Sequence, residues 1–397
     1  MAHLSTPEIL TRVSSSLLVY TVLHSLFPTS RIPLLVLALF MVSTVHRSKF
    51  PWLVQKLFKS DMDSHRQGIV DAVATLSAYE GNTLAWNDKK RKNLKFLGWD
   101  GYQQAKKAGF VKHMDDVDKA IRVNGQLSKA IASHAIKKYD LSPMETRAGT
   151  NKGNGKAIEV LTHYARDWTV ISEELKPLLT FIKKSIDKHI DDKKNTLVIV
   201  PGSGLGRIAH ELALLNFPKV ETVEFSALMH LCNEFVYTSK DQFTIHPFLH
   251  TYSHHVTNKN HTRGVSFKGQ DQPSNLKLNY GDFREFTVED SAKYDTVLIV
   301  TAFFMDTAQN MFDYFQALET LVGEGQRGVW INVGPLKYGT APFVELSLEE
   351  IRAVRKIRGW RDLDEPEAGE TAGYLTDSKG LWQGYYGLGK WVSELKK

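Results

Sequence analysis

Cysteine is almost absent from this sequence of 397 residues, which contains only Cys232. An intramolecular disulfide is therefore excluded, and the chain suits a reducing compartment. Neither sign of charge dominates, because 50 basic residues face 44 acidic ones and leave a net charge of +6. These residues are spread along the chain rather than gathered in one arm. The excess favours an anionic partner such as a membrane surface only weakly, and nucleic acid more weakly still.

A long apolar run is also absent. The first 50 residues contain two short ones, at residues 13–27 and 32–45. As helices they would extend about 21–23 Å, whereas the hydrocarbon core of a bilayer is about 30 Å thick. Two alternatives therefore stand: a pair of buried or interfacial helices, or a membrane anchor formed by residues 13–45. An anchored chain would face the cytosol, because basic residues follow the runs, and a chain without an anchor would be cytoplasmic and nuclear.

The hydrophobic pattern changes along the chain and predicts three parts. Residues 1–60 form an apolar N-terminal segment, and residues 61–195 have apolar side chains three to four positions apart, which is typical of helices. Residues 196–397 form the third part, which has short β-branched runs alternating with helical stretches. The runs lie at 196–200, 220–224, 296–300 and 328–332. This alternation predicts an α/β domain with a parallel sheet covered by helices.

Three glycines follow the first of these strands directly. Segment 197–213 combines a buried strand, a turn with Gly202, Gly204 and Gly206, and an amphipathic helix. Glycines let the backbone approach a ligand where a side chain would collide, so a nucleoside is expected at this turn. A dinucleotide fingerprint would require a glycine at position 207, where the sequence has Arg207. The spacing G-x-G-x-G favours a class I methyltransferase that uses S-adenosylmethionine, and it disfavours NAD.

Two acidic positions downstream extend this pattern. Glu224 ends the second strand, twenty residues after Gly204, where a carboxylate can accept both ribose hydroxyls. Asp282 and Phe283 precede the strand at 296–300, where an acid and an aromatic can bond the adenine amino group and cover the ring face. Alone, each feature would be an ordinary strand end or turn. Together with the glycine turn they predict a site for S-adenosylmethionine.

Four motifs resemble the carnosine N-methyltransferase family, which methylates the imidazole of β-alanyl-histidine. They are YARDW at 164–168, VPGSGLGR at 200–207, DTAQN at 306–310 and WINVGP at 330–335, and the segment FVELSLEE at 343–350 is also similar. The resemblance covers residues 62–397. It implies a Rossmann-like, seven-stranded methyltransferase sheet preceded by the helical domain. The apolar N-terminal segment, residues 1–60, lies outside the resemblance.

The resemblance implies cofactor-binding roles for individual residues. Arg166 would bind the methionine part of S-adenosylmethionine, while His163 stands where the family has glutamine and Ala302 replaces a cysteine. Four further residues match the family's cofactor positions, and Gly204 joins them as part of the turn. These four are Gly202, Glu224, Asp282 and Phe283.

Acceptor-binding residues follow from the same resemblance. The matching positions are Asn310, Asp313, Tyr374 and Tyr386. Asp313 would anchor a cationic amine or orient a ring N–H, Asn310 would fix the ring, and the two tyrosines would wall the pocket. The implied chemistry is in-line attack of a neutral imidazole nitrogen on the sulfonium methyl group. The family's Tyr-His pair is Tyr338-Gly339 here, so the acceptor is expected to be carnosine or a related imidazole compound.

Some residues also fit other roles. Asn310 and Asp313 would suit a helix cap and a helix-surface acid. His246, His250 and His254 lie four residues apart, a spacing that places metal ligands on one face of a helix, but no adjoining cysteine or acid accompanies them. We therefore expect no metal.

Other functions remain as alternatives. Lysines at 89–95 beside Trp86 and Phe96 indicate a solvated helix face, so no nucleic acid partner is expected. The alternatives are a methyltransferase with another small-molecule acceptor, a nicotinamide dehydrogenase, and a membrane-tethered protein that holds S-adenosylmethionine without turnover. The sequence leaves the oligomeric state open.

Overall fold

The computed structural model describes residues 6–26, 34, 37, 63–169, 173–238, 240–339 and 341–397. The chain divides into two compact units, residues 1–70 with 142–149 and residues 71–141 with 150–397. The helices of residues 71–141 and 150–195 thus belong to the same unit as the sheet. The domain boundaries expected from the sequence, at residues 60 and 195, stay a prediction.

The described helices alternate with strands only in the second half of the chain. In chain order they are α1 (Thr6–Leu26), α2 (Ser64–Lys92), α3 (Gly98–Lys107), α4 (Phe110–Lys138), α5 (Pro143–Ala148), α6 (Asn154–Asp167), α7 (Leu175–His189), α8 (Arg207–Ala213), α9 (Ala227–Val236), α10 (Asn258–His261), α11 (Met311–Thr320) and α12 (Leu348–Ile357). The strands are β1 (Thr196–Pro201), β2 (Lys219–Val223), β3 (Gln242–Ile245), β4 (Val265–Lys268), β5 (Leu276–Lys277), β6 (Thr296–Ala302), β7 (Arg327–Gly334), β8 (Arg361–Asp362), β9 (Glu367–Gly373) and β10 (Tyr385–Lys396).

The first unit contains α1, the whole of α5, and the first turns of α2. Helix α5 begins with a capping box, in which the Ser142 hydroxyl accepts the Glu145 N–H and the Glu145 carboxylate accepts the Ser142 N–H. Within the described residues, no helix combines the length and the apolar character that crossing a bilayer requires. Most of the apolar run at 32–45 lies outside the described residues. The predicted membrane anchor at residues 13–45 is therefore not supported.

The second unit is built on a mixed sheet in the order β5-β2-β1-β6-β7-β10-β8. Strands β5, β2, β1, β6 and β7 are parallel, as predicted, whereas β10 runs antiparallel to β7. The sheet has eight strands in the described residues instead of the seven expected, because β9 also pairs with β10. The cause is the length of β10, which pairs along its outer edge with β9 first and then with β8.

Alternate side chains of β1 enter two different hydrophobic cores, one on each face of the sheet. Leu197 and Ile199 pack in the core that contains α11, whereas Val198 and Val200 pack in the core that contains α7. All four side chains are buried. Helix α7 confirms the predicted helical spacing, since its apolar residues are buried on one face. They are Leu175, Leu178, Leu179, Ile182 and Ile186.

A chain of buried polar groups connects three neighbouring strands. The Trp330 indole donates to Thr301 Oγ1 at 2.8 Å, and the Thr301 hydroxyl donates to Asn332 Oδ1 at 2.7 Å. Asn332 Nδ2 donates in turn to the carbonyl of Gly389 at 3.3 Å. Strands β6, β7 and β10 are therefore joined by side chains as well as by their backbones.

We expect Thr301→Val to lower the free energy of unfolding by about 2–4 kcal/mol, because it leaves the buried Trp330 N–H and Asn332 oxygen without their partners. Thr301→Ser keeps the hydroxyl and is the matched control. Urea denaturation of the parent and both variants measures the effect. Equal stability of the valine and serine variants would contradict the role of this hydroxyl.

Candidate active site

The turn between β1 and α8 requires glycine for two separate reasons. Gly202, Gly204 and Gly206 all have positive φ, at +59°, +56° and +78°. A Cβ at Gly202 would lie 2.2 Å from Phe304 Cδ2, and one at Gly206 would lie 2.5 Å from the Asn233 amide. A Cβ at Gly204 would have no atom within 4 Å. The first and third glycines therefore permit close packing, while the second leaves open space beside the backbone.

This open space belongs to a cavity of about 700 Å³ at the carboxyl ends of β1, β2 and β6. Such an edge is where ligands bind in α/β sheets. The cavity brings together every predicted site residue except Tyr386. They are His163, Arg166, Gly202, Gly204, Glu224, Asp282, Phe283, Ala302, Asn310, Asp313 and Tyr374.

Glu224 lies immediately after β2 and is held by backbone donors. Its Oε2 accepts the N–H of Gly204 at 2.8 Å, and its Oε1 accepts the N–H of Ser226 at 2.7 Å. Burial raises the pKa of Glu224, and these hydrogen bonds oppose that shift. Each carboxylate oxygen can accept a second hydrogen bond. The group is thus fixed at the turn with acceptor capacity left for a ligand.

Asp282 and Phe283 form a wall of the cavity that is tied to their neighbours. The Asp282 carboxylate accepts the Arg284 backbone N–H at 2.9 Å and also pairs with the Arg284 guanidinium, which lowers its pKa. The buried Phe283 ring packs edge-on against Phe304 and Tyr314, with centroids 5.4 and 5.7 Å away. A ligand would therefore meet a packed aromatic cluster at this wall.

Arg166, near the end of α6, is a buried cation that has an N–H group without a hydrogen-bond acceptor among the described residues. Its side chain is 9% exposed, and Nε lies 3.7 Å from Asp167 Oδ1 and 3.9 Å from Glu174 Oε2. Nε has no hydrogen-bond partner among the described residues. The guanidinium lies over the rings of Tyr374 and Phe303, 4.8 and 5.3 Å from their centroids. A buried N–H of this kind favours a ligand carboxylate.

The groups next to Arg166 have shifted pKa values. Burial, aided by the charge of Arg166, lowers the pKa of His163 to about 3, so its imidazole is neutral at physiological pH. Its Nε2 lies 3.5 Å from the Tyr374 hydroxyl. Burial raises the pKa of Asp167 to about 6. At this wall of the cavity, the Arg166 guanidinium therefore lies beside an uncharged imidazole ring.

The acceptor residues lie at the start of α11. Asn310 is the N-cap of this helix, since its Oδ1 accepts the Phe312 N–H at 3.2 Å. Its Nδ2 donates to Asp313 Oδ1 at 2.8 Å, so the two side chains form one polar pair. The helix-cap alternative for Asn310 is correct, and it is compatible with a ligand-binding role because both residues line the cavity.

Tyr386 lies behind the cavity wall. Its ring centroid is 6.2 Å from that of Tyr374 and 6.4 Å from that of Phe303, which both line the cavity. Lys337 Nζ lies 5.5 Å from the Tyr386 ring. Tyr386 therefore supports the wall rather than forming its inner surface.

Several cavity residues escaped the sequence analysis. Phe303 and Phe304 directly follow β6, and Phe303 has φ of +54°, which is rare for a bulky side chain. The position of Phe303 and Phe304 after a buried strand was a usable signal, because ligands bind at that end of parallel strands. Asp306, the first residue of the DTAQN motif, does not line the cavity. It accepts the Lys337 N–H at 2.9 Å, and burial raises its pKa to about 6.

The histidines considered as metal ligands do not share a helix, because residues 246–254 are irregular. Within the part of the chain that the structure describes, no group of three or more histidine, cysteine or acidic side chains has a metal-binding arrangement. Three other histidines pack together instead. His261 Nδ1 lies 2.9 Å from His113 Nε2, and the His255 ring stacks on His261.

Comparison with known proteins adds independent information. A family model described as carnosine N-methyltransferase matches residues 143–397. The chain is 40% identical to an uncharacterized protein of Saccharomyces cerevisiae, over 59% of this chain and 54% of that protein, so it spans about half of that relative's length. It is 29% identical to the carnosine N-methyltransferase of Schizosaccharomyces pombe, over 78% of this chain and 90% of that protein. The rat carnosine N-methyltransferase is 26% identical over 75% of this chain and 78% of that protein.

Solved structures give a remoter likeness. A SAM-dependent methyltransferase from Aquifex aeolicus is 12% identical, covers 56% of this chain and 94% of its own, and has a TM-score of 0.33. A phosphoethanolamine N-methyltransferase from Haemonchus contortus in complex with S-adenosyl-L-methionine is 16% identical, covers 54% and 43%, and has a TM-score of 0.35.

We expect Gly202→Ala to be more destabilising than Gly204→Ala. Both substitutions place a side chain in the left-handed region, at a cost of about 1–2 kcal/mol. Only the first also collides with the Phe304 ring, which adds about 1–3 kcal/mol of overpacking. Denaturant unfolding of the two variants measures the difference. Equal losses would contradict the close packing of Phe304 on the turn.

A pH dependence follows from Asp306, whose folded pKa of about 6 exceeds its ordinary value of 3.8. The folded protein holds this proton more tightly than the unfolded chain, so the stability contributed by the group falls as pH rises from about 4 to about 6. Asp306→Asn keeps an oxygen for the Lys337 N–H but does not titrate. We expect the variant to lose less unfolding free energy than the parent across this interval. Asp187→Asn, at an exposed acid, is the control, and identical pH profiles for all three proteins would contradict the shift.

Proposed function

The chain belongs to the carnosine N-methyltransferase family, and from this premise we propose that it methylates an imidazole nitrogen of carnosine or a related histidine-containing small molecule. It is an S-adenosylmethionine-dependent N-methyltransferase. The observation that carries the proposed acceptor is the Asn310–Asp313 pair, which faces the same cavity as the buried Arg166 and the glycine turn.

The cavity fits S-adenosylmethionine, which when bound supplies an electrophilic sulfonium methyl group. Gly204 leaves room for a nucleoside against the backbone, and Glu224 retains acceptor capacity for ribose hydroxyls. Arg166 offers a buried Nε–H for the methionine carboxylate. These three groups would hold the ribose and the amino-acid part of the cofactor from opposite sides.

The remaining cofactor-binding residues would surround the base and the sulfur. Asp282 offers carboxylate oxygens to the adenine amino group, although Arg284 competes for them. Phe283 contributes apolar surface from the packed wall. Ala302 ends β6 within the cavity, and His163 stays neutral beside Arg166. A neutral His163 adds no second positive charge near a sulfonium group.

The Asn310–Asp313 pair would orient the acceptor. Asp313 Oδ1 is occupied by the Asn310 amide, whereas Oδ2 has no hydrogen-bond donor in the described part of the chain. This oxygen can accept the N–H of a neutral imidazole and so leave the lone pair of the other ring nitrogen free. Holding that lone pair in line with the methyl group accounts for most of the expected rate acceleration.

Aromatic side chains would enclose the reacting groups. Phe303 and Tyr374 stack with centroids 5.0 Å apart, and Tyr386 supports both from behind. Aromatic faces stabilise nearby cations, and they also exclude water from the methyl group. The wall therefore suits a positive charge that moves from sulfur to nitrogen.

Gly339, the departure from the family pattern, is exposed, and a Cβ there would have no atom within 4 Å. It does not belong to the lining of the cavity. The imidazole that the family has at this position would therefore extend from an open surface loop. Because Gly339 does not line the cavity, this departure from the family pattern does not itself enlarge the space for an acceptor.

The test is methyl transfer from labelled S-adenosylmethionine to a panel of carnosine, other histidine dipeptides, free histidine derivatives, thiols, alcohols and carboxylates. We expect imidazole products, and we expect Asp313→Asn to lower turnover at least about 100-fold because the ring is no longer oriented. Calorimetric affinity for S-adenosylmethionine should stay unchanged in this variant.

Glu324→Gln, at an exposed acid outside the cavity, is the matched control and should keep full activity. Product analysis on the same panel identifies the acceptor atom. Methylation of a thiol, hydroxyl or carboxylate without any imidazole product would refute the acceptor while leaving the methyltransferase intact.

A further inference from the structure

One short segment that does not line the cavity has a strong local excess of basic residues. Residues 89–107 contain seven basic side chains and one acidic one, an excess of +6 that equals the net charge of the whole chain. Phe96, Leu97 and Trp99 lie in the middle of these charges. We call residues 89–107 the lysine–tryptophan segment.

The segment exposes its apolar side chains rather than burying them. It comprises the end of α2, a 3-10 turn at Asn93–Leu97 and helix α3. The turn buries only Leu94, and α3 has no buried residue. Phe96 is 76% exposed, Leu97 49% and Trp99 75%. Three large apolar side chains within four residues therefore form one exposed tip.

Most of the positive charge in the segment is not neutralised. Arg91 pairs with Asp115 and Asp118, and Lys92 pairs with Asp88. The other five basic residues have no carboxylate at ion-pair distance within the described ranges. They are Lys89, Lys90, Lys95, Lys106 and Lys107. Lys90 and Lys95 lie over aromatic rings, which leaves their charge in place. The apolar tip is thus flanked on both sides in sequence by ammonium groups that no carboxylate neutralises.

We infer that the lysine–tryptophan segment binds the surface of an anionic lipid bilayer, with Phe96, Leu97 and Trp99 inserted at the level of the headgroups. Tryptophan and phenylalanine gain free energy at the bilayer interface, because one part of the ring is apolar and the rest tolerates water. Lysines next to such a tip are attracted by the negative surface potential of phosphatidylserine or phosphoinositide membranes. The segment combines both signals, and stable membrane binding generally requires two.

Other occupants fit these side chains less well. Single-stranded nucleic acid is bound by aromatic rings spaced along a groove, whereas here the aliphatic Leu97 separates Phe96 from Trp99 and offers no stacking face. A second copy of the chain would bring a like charge of +6 against this one. A lipid surface suits both the positive charge and the exposed aliphatic side chain.

Vesicle sedimentation of the full chain tests the inference. We expect stronger binding to phosphatidylcholine vesicles that contain phosphatidylserine than to phosphatidylcholine alone, and weaker binding as salt screens the lysines. Phe96→Ala/Trp99→Ala should lower the partition coefficient at least about tenfold, and Lys95→Glu/Lys106→Glu should do so by a similar factor. Trp382→Ala, at another exposed tryptophan, is the matched control and should bind like the parent.

A local probe separates this segment from the apolar N-terminal runs, which could bind vesicles by themselves. Cys232 is buried, so a cysteine at Leu97 can be labelled selectively with the environment-sensitive dye NBD. We expect a blue shift of the Leu97→Cys label on anionic vesicles and none for Leu381→Cys, which is also exposed.

Three results would overturn the inference. They are an unshifted dye at Leu97→Cys, a shift equal to that at Leu381→Cys, or vesicle binding that the two double variants do not weaken. Titration with a single-stranded RNA oligomer completes the test. Tight RNA binding that the same variants abolish, with no dye shift on vesicles, would assign the segment to nucleic acid.

Discussion

The glycine turn after β1 is restrained by groups from two other parts of the chain, and the cavity depends on that restraint. The carboxylate of Glu224 fixes the Gly204 N–H from the neighbouring strand. From α6 and the residue after it, Trp168 Nε1 donates to the Leu205 carbonyl at 2.8 Å, and Arg207 Nη1 donates to the Asp167 carbonyl at 3.0 Å. A turn with positive φ at three positions has little strength of its own. These external hydrogen bonds hold it open toward the cavity.

Glu174 performs a similar task for the opposite wall. Its carboxylate accepts the N–H groups of Leu375 at 3.0 Å and Thr376 at 2.8 Å, directly after Tyr374. Leu375 has φ of +52°, so this segment adopts a conformation that needs external hydrogen bonds. Arg166 lies near the same carboxylate. Glu174, which directly precedes α7, thus connects the helical residues before the sheet to the segment after β9. This connection lies next to Arg166 and Tyr374.

The sequence predicts features that are set by residues close together in the chain. It misses features that are set by contacts between distant residues. The strand–turn–helix–strand order predicts the glycine turn with Gly202 and Gly204. The spacing of twenty residues after Gly204 predicts Glu224. The partner that makes Gly202 obligatory, Phe304, is about a hundred residues away and has no local signature. The same limit applies to β10, which is not among the predicted strands and which pairs antiparallel with both β7 and β9. Tyr386 was placed in the cavity from family correspondence, and only the ring positions put it behind Tyr374.

Under the proposed function, the charges of the cavity match a reaction that moves a positive charge without creating one. The charge begins on sulfur and ends on an imidazole that is held by Asp313. This carboxylate therefore stabilises the positive charge that develops at the acceptor end. At the donor end, Arg166 lies over Tyr374 and Phe303, and His163 remains uncharged. A cation at position 163 would repel the sulfonium in the ground state and weaken cofactor binding. Because burial in the fold keeps His163 neutral, the histidine at this position adds no positive charge beside Arg166.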